Sequence, residues 1–371
     1  MKFDRRLILH FDWLLLLLVL AICAIGIVNI YSAGLSLTDA RANALYIRQL
    51  MWMGIGLTFM VLGFILDYRV ITRQAYWIYL LSLLLLLMVF VLGYATRGSQ
   101  RWIALAGFTF QPSELMKITV ILALAKYFDD HKVEGGYLLK ELVAPFLIAF
   151  VPFLMVLKQP DLGTGLIILL LFLALVFVVG LRWKSLLLAA GSTLIMIPMA
   201  WHFLKDYQKD RIMTFLDPEK DPLGTGYHII QSIIAIGSGG LFGKGFLQGT
   251  QTQLKFLPEQ QTDFVFSVFA EEWGFLGGML LVILFLMLIL WGLKIAFQAK
   301  DLPGKLISAG VTMMVFYQVF INMGMVLGIL PVVGIPLPFM SYGGSSMVVF
   351  MLGIGLLLNV RMRRFVLQSS L

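Results

Sequence analysis

Residues 13–33, WLLLLLVLAICAIGIVNIYSA, carry no charged side chain. About 20 consecutive apolar residues in a helix cover the hydrocarbon core of a bilayer. Inside lipid every backbone N–H and C=O must be satisfied within the segment, so such a run crosses as an α-helix. The pattern recurs at roughly 13–33, 45–66, 74–94, 113–128, 142–157, 164–181, 185–204, 264–293, 306–330 and 342–360. Ten such runs predict an all-α polytopic membrane protein, with residues 1–371 forming one membrane domain. Composition agrees: 60% of the residues are hydrophobic and 13% charged, and the mean hydropathy is +0.93. A soluble domain so composed would lack the polar surface it needs. Pro152 and Pro160 interrupt the apolar stretch around 142–181, where span boundaries are least defined.

Lys2, Arg5 and Arg6 precede the first run as the n-region of a signal peptide would. The run is too long for an h-region and more spans follow, so it reads as an uncleaved anchor. Ten spans place both termini on one side. That side also receives Arg69 and Arg73, then Lys126, Lys132 and Lys140, then Arg182 and Lys184, then Lys294, Lys300 and Lys305, and finally Arg361, Arg363 and Arg364. More than half of the 28 Lys and Arg residues thus collect there, which marks that side as cytoplasmic. The net charge of +8 is a topology signal, and no nucleic-acid partner is expected. Cys23 lies within the first span, so no disulfide framework is available.

The long extramembrane segment is the extracytoplasmic loop of residues 205–262, between the seventh and eighth spans. Long connections of this kind are often functional. YHIIQSIIAIG (227–237) predicts a short helix on the outer membrane surface or packed on the bundle. DPEKDPLGTG (217–226) reads as successive turns. GSGGLFGKG (237–245) invites comparison with phosphate-binding loops, but Ser238 and Gly245 stand where a Walker A pattern needs glycine and serine or threonine. Backbone amides there could still cradle a phosphate; a turn with close backbone packing is the favoured reading. The loop ends in LPEQQTDFVF (257–266), which puts Asp263 where the chain re-enters the membrane.

QPSELMKI (111–118) places Pro112 in the first turn of a helix and Glu114 and Lys117 at i, i+3 on one face, the acid nearer the N-terminus. Charges at membrane depth are costly unless paired or wetted, and usually mark a functional cavity. In KQPDLGTG (158–165) Asp161 follows a proline at the outer end of a span, where helix capping and function are equally plausible. Arg97 and Arg101 precede the fourth span on the same outer side, a cationic rim suited to an anion such as a phosphate diester. GILPVVGIPLPFMSYGGSS (328–346) is too rich in proline and glycine to be one regular helix, and broken backbone near a membrane face lines a cavity or packs in protein. Glu271 and Glu272, inside the eighth span, read as a packing or hydrogen-bonding pair. The four histidines are scattered without metal-ligand spacing, so no zinc site is suggested. No serine or cysteine triad pattern occurs, which leaves the acids as reaction centres.

QPSELMK, QPDLGT, DPLGTGYHIIQSIIAIGSGGLFGKG, LPEQQTDF with AEEWG, and PLPFMSYGGSS, in that order, resemble the SEDS family of cell-wall proteins (shape, elongation, division, sporulation). The likeness runs from the first span to the last and is nearer the elongation branch than the division branch. The tryptophan of EEWG, where leucine is common, is a departure. The resemblance implies a peptidoglycan glycosyltransferase that polymerises lipid II outside the cytoplasmic (inner) membrane, with both termini cytoplasmic. By it, Asp263 matches the essential acid, Glu114 and Lys117 a required pair, and Arg101 and Asp161 other sensitive positions. It also implies a class B penicillin-binding protein, a transpeptidase, as partner, and a divalent cation, Mg or Mn, as cofactor; no organic cofactor is expected.

In such a reaction a sugar 4-hydroxyl attacks the anomeric carbon of a second chain and displaces undecaprenyl pyrophosphate. Asp263 would take the hydroxyl proton as general base, or alternatively hold the cation. Lys117, Arg101, or the loop cations Lys209 and Arg211, would neutralise the pyrophosphate, with Glu114 positioning Lys117. A lipid II flippase and a noncatalytic scaffold are the competing classes. A transporter gives no reason for a large outer loop ending in an acid.

Overall fold

The computed structural model describes residues 11–34, 43–96, 99–105, 108–185, 187–188, 202, 206–218, 221, 224–254, 256–257 and 259–364. Arg97 and nearly all of the expected seventh span lie outside these residues. In chain order the elements are α1 (Trp13–Gly34), α2 (Asn43–Ile65), α3 (Tyr68–Arg73), α4 (Ala75–Leu92), β1 (Tyr94–Thr96), β2 (Ser99–Leu105), β3 (Phe108–Phe110) and α5 (Pro112–Asp130). They continue with α6 (Val143–Lys158), α7 (Leu162–Val179), α8 (Asp206–Leu216), α9 (Thr225–Ser238), α10 (Thr250–Gln253), α11 (Val265–Gln298), α12 (Leu302–Val326) and α13 (Gly344–Arg363).

The chain is a multi-pass helical membrane protein. Among the described residues seven helices are long and apolar enough to cross a bilayer. Two more coincide with expected spans: α4 is shorter, and α5 carries Glu114, Lys117 and Lys126. Helices already in lipid gain little from hydrophobic burial against each other, so shape and polar ties order the bundle. α5, α12 and α13 are buried along most of their length and form its centre. α13 packs on α2, α12 on α11, α5 and α7, and α4 on α5. The outer ring presents Leu17, Leu84, Val91, Phe177 and Leu290 outward, as a lipid-facing surface requires.

Ion pairs bind one end of the bundle. Asp301 caps α12 and accepts from Tyr68 Oη at 2.7 Å and Arg69 Nε at 3.2 Å. Arg363 reaches Asp67 at 3.2 Å, Arg361 reaches Asp12 at 3.4 Å, and Trp291 Nε1 donates to Asp12 at 2.8 Å. These residues belong to the side where the basic residues were expected to gather. At the opposite end lie the starts of α5, α7, α11 and α13 together with the outer loop.

One departure from an all-α fold is the connection before α5. It forms three short antiparallel strands, with Tyr94 paired to Trp102 and Ile103 to Phe110. Aromatic and β-branched residues there favour a pleated, half-buried surface. α11 shows a second departure. Its 34 residues would span about 50 Å if straight, well beyond a bilayer core. The helix breaks at Gly274, with φ 64° and ψ −162°. Residues Val265 to Glu272 are all buried, whereas Phe275, Leu276, Met279 and Leu280 are exposed. Glu271 and Glu272 therefore sit in an enclosed outer half-helix, and the lipid-facing part begins after the break.

Candidate active site

The glycine-rich stretch 237–245 fills the break in α11. Phe275 N donates to Gly240 O at 2.8 Å and Leu276 N to Leu241 O at 3.1 Å; Lys244 N donates to Glu271 O and Gly245 N to Glu272 O, both at 3.0 Å. Backbone groups freed by the break are thereby satisfied, as membrane depth demands. Gly243 has φ +83°, and a β-carbon there would collide with the Glu272 carbonyl. The close-packing reading of this segment holds. Side chains reinforce it. Fully buried Glu271 accepts from Lys244 Nζ at 2.6 Å, Gln251 N at 3.0 Å, Thr250 Oγ1 at 3.2 Å and Thr252 Oγ1 at 3.3 Å. Glu272 accepts from Ser32 Oγ of α1. The two acids are hydrogen-bonding residues, as expected, but each ties a different element.

Asp263 stands immediately before the N-cap of this outer half-helix, partly exposed. Its backbone is fixed from several sides. Asn322 of α12 donates through Nδ2 to Asp263 O at 2.8 Å and to Ile335 O at 2.7 Å. Ser341 Oγ donates to Thr262 O at 2.5 Å, Tyr342 N donates to Gln261 O at 2.8 Å, and Gln260 Nε2 donates to Ala33 O at 2.7 Å. Asn29 Nδ2 donates to Val265 O at 2.8 Å on the other side. Residues 328–343 form a strap without helix between α12 and α13, as the proline and glycine pattern requires. Gly334 of the strap, at φ +71°, faces the carboxylate: a β-carbon on it would stand 3.4 Å from Asp263 Oδ2.

The other side of this strap touches the start of α7. A β-carbon on Gly163 would lie 2.8 Å from Val333 O and 2.7 Å from Ile335 Cγ1. Two residues earlier, Asp161 caps α7, accepting from Thr164 N at 3.3 Å. Its Oδ2 accepts from Gln111 Nε2 at 3.0 Å, and Arg101 Nη1 lies 3.8 Å from Oδ1. Arg101 also donates Nε to Gln159 O at 3.1 Å and Nη2 to Pro160 O. Gln111 N in turn donates to Ser345 Oγ at the start of α13, at 3.0 Å. Arg101 and Asp161 thus belong to one network that ties β2, α5, α7 and α13. Capping and clustering coincide at Asp161.

One turn into α5, Lys117 Nζ donates to both Glu114 oxygens at 2.9 Å. Both side chains are almost wholly enclosed, and Lys117 Nζ lies 5.5 Å from the Phe350 ring centroid. Lys117 Nζ is thus engaged with Glu114 and enclosed. Lys209 and Arg211 lie on α8, which packs on α9. α9 packs on the bundle, the second of the two expected placements: Ser232 Oγ is 2.8 Å from Ser267 Oγ and donates to Val326 O at 2.6 Å. Among the described residues no three His, Cys, Asp or Glu side chains come together to hold a metal ion.

Sequence reasoning missed Asn322, Gln111, Ser341 and Asn29. For Asn29 and Asn322 the available signal was a neutral amide inside an apolar run, which needs a partner when buried.

Residues 12–365 match the family model FtsW/RodA/SpoVE, described as cell cycle protein. The chain is 42% identical to the peptidoglycan glycosyltransferase MrdB of Escherichia coli K12, over 97% of this chain and 96% of that protein. It is 34% identical to the peptidoglycan glycosyltransferase RodA of Treponema pallidum, over 95% and 98%. Among solved structures, a chain of a peptidoglycan synthase complex that coordinates polymerization and crosslinking superposes with a TM-score of 0.81 at 38% identity, covering 96% of this chain and 98% of that one. The rod shape determining protein RodA of Thermus thermophilus superposes with a TM-score of 0.71 at 34% identity, with the same coverage.

Proposed function

The chain belongs to the FtsW/RodA/SpoVE family, and from that premise we propose how it works as a peptidoglycan glycosyltransferase of cell elongation. Its substrate is lipid II, the undecaprenyl-pyrophosphate-linked disaccharide-peptide. The sugar 4-hydroxyl attacks the anomeric carbon of a second molecule, a carbon–oxygen bond forms, and the bond to pyrophosphate breaks with its electron pair leaving on the phosphate. The proton passes to the Asp263 carboxylate.

The observation that carries this reading is the fixation of Asp263. Asn322, Ser341 and Tyr342 hold the backbone on either side of it, while Gly334 lies beside the carboxylate. A base must be held within hydrogen-bond reach of the proton it takes, and a rigid frame lowers the cost of that alignment. Lys209 and Arg211 are the cations assigned to the leaving pyrophosphate. Arg101 and Asp161 hold the outer ends of α5, α7 and α13 together, and the Glu114–Lys117 pair supports the wall beneath them. The apolar outer ring keeps the lipid tail in the bilayer while the sugars react at the outer end.

The membrane is the bacterial cytoplasmic (inner) membrane, with both termini cytoplasmic and the site facing outward. The basic residues gathered at one end of the bundle support this orientation. The partner is a class B penicillin-binding protein; the solved relative in a synthase complex supports that assignment. The test is polymerisation of lipid II by the purified chain in detergent, alone and with the transpeptidase. Glycan polymer is expected in at least one. Movement of a fluorescent lipid II across vesicles, without polymer in either, would favour a flippase.

A further inference from the structure

α9 runs alongside the outer half of α11 in the same direction. The His228 ring lies 6.2 Å from the Phe264 ring, Ser232 meets Ser267, and the Gly239 backbone abuts the Ala270 carbonyl. These pairs rise together along both segments, so the register is parallel. His228 precedes Ser232 by one helical turn and shares its face of α9. It therefore stands opposite Phe264, the residue after Asp263.

Among the described residues, His228 Nδ1 is buried and has no hydrogen-bond partner. Buried polar atoms are rarely left so unless a ligand or water completes them. The groups around the ring are Phe264 at the N-cap of α11, Tyr227 on α9 with its ring 6.2 Å away, and Asp221 before α9. Burial pushes the imidazole below its ordinary value, and Asp221 opposes that in part. A neutral imidazole has one donor and one acceptor nitrogen, which suits a hydroxyl. Aromatic rings and a nearby carboxylate are poor company for a pyrophosphate, and suit the mixed apolar and polar faces of a sugar.

We propose that His228 is a substrate-binding residue of the Asp263 site, hydrogen-bonding a hydroxyl of the sugar whose 4-hydroxyl Asp263 deprotonates. This rests on the glycosyl-transfer reading above. His228 makes and breaks no covalent bond.

The experiment compares wild type, His228→Gln and His228→Phe as full-length purified chains with the transpeptidase partner. Lipid II polymerisation kinetics, direct lipid II binding and thermal unfolding are measured on each. His228→Phe is expected to raise KM and Kd about 10-fold, the loss of one hydrogen bond to a buried group, with kcat changed less than about twofold. His228→Gln, which can still hydrogen-bond, is expected within about threefold of wild type. Unchanged Kd and KM in a folded His228→Phe would overturn the proposal, as would a fall in kcat alone. If His228→Phe unfolds, Gln must still bind within threefold, and a larger loss in folded Gln overturns the proposal. A wild type that binds lipid II without polymerising it would instead remove the reaction, and the binding comparison would still decide His228.

Discussion

Replacing Lys117 by methionine would leave a carboxylate enclosed without its counter-ion. Glu114 is 3% exposed and both of its oxygens lie 2.9 Å from Lys117 Nζ. With an effective dielectric of about 20, the attraction at 2.9 Å is roughly 332/(20 × 2.9), or ~6 kcal/mol. Desolvation of the two ions, several kcal/mol each, cancels most of it, so the intact pair is near break-even. Removing one partner is different, because the remaining charge keeps its desolvation cost. Lys117→Met should therefore destabilise the protein by about 3–5 kcal/mol. The double variant Glu114→Gln with Lys117→Met should recover most of that loss, since a neutral pair needs less solvation. Thermal unfolding in detergent, followed by tryptophan fluorescence and size exclusion, gives the ranking of the three proteins. A single variant as stable as wild type, or a double variant no better than the single, would refute the reasoning. Polymerisation by the recovered double variant would further assign the pair a purely supporting role.

The same logic ranks other sites. Lys244→Met removes one of several donors to Glu271, so a loss of about 1.5–3 kcal/mol is expected, with faster proteolysis within residues 237–254. Gly274→Ala forces a β-carbon into a positive-φ position 2.8 Å from Leu241 O; about 1–3 kcal/mol of destabilisation is expected in the same thermal assay. Asp301→Asn breaks an ion pair whose side chains are each 31% exposed, and should cost no more than about 1 kcal/mol, leaving polymerisation unchanged.

The sequence made the bundle legible because period, length and charge placement act locally. Among the described residues the apolar runs located the helices to within a few residues, and the i, i+3 spacing alone joined Glu114 to Lys117. The N-cap chemistry of Asp161 was equally local. What stayed hidden was long-range. Nothing near Asn322 announces that its amide bridges Asp263, 59 residues earlier, to Ile335. Hydropathy cannot register the positive φ of Gly274, so the eighth span was read as continuous and its acids as lying inside it. The glycines of 237–245 signalled close backbone approach, but not that the approached backbone was the broken end of α11. The strands before α5 are too short to show a period of two. Among the described residues, the strap 333–335, packed between Gly163 and Asp263, relates the Arg101–Asp161 network to the proposed base.

The most direct test of Asp263 as the base is single-turnover polymerisation of lipid II by Asp263→Asn with the transpeptidase partner, beside a binding measurement on the same protein. The rate is expected to fall about 10²–10⁴-fold, the usual contribution of a positioned base, while lipid II binding stays within about threefold. Polymer formed by Asp263→Asn at the wild-type rate would contradict the assignment.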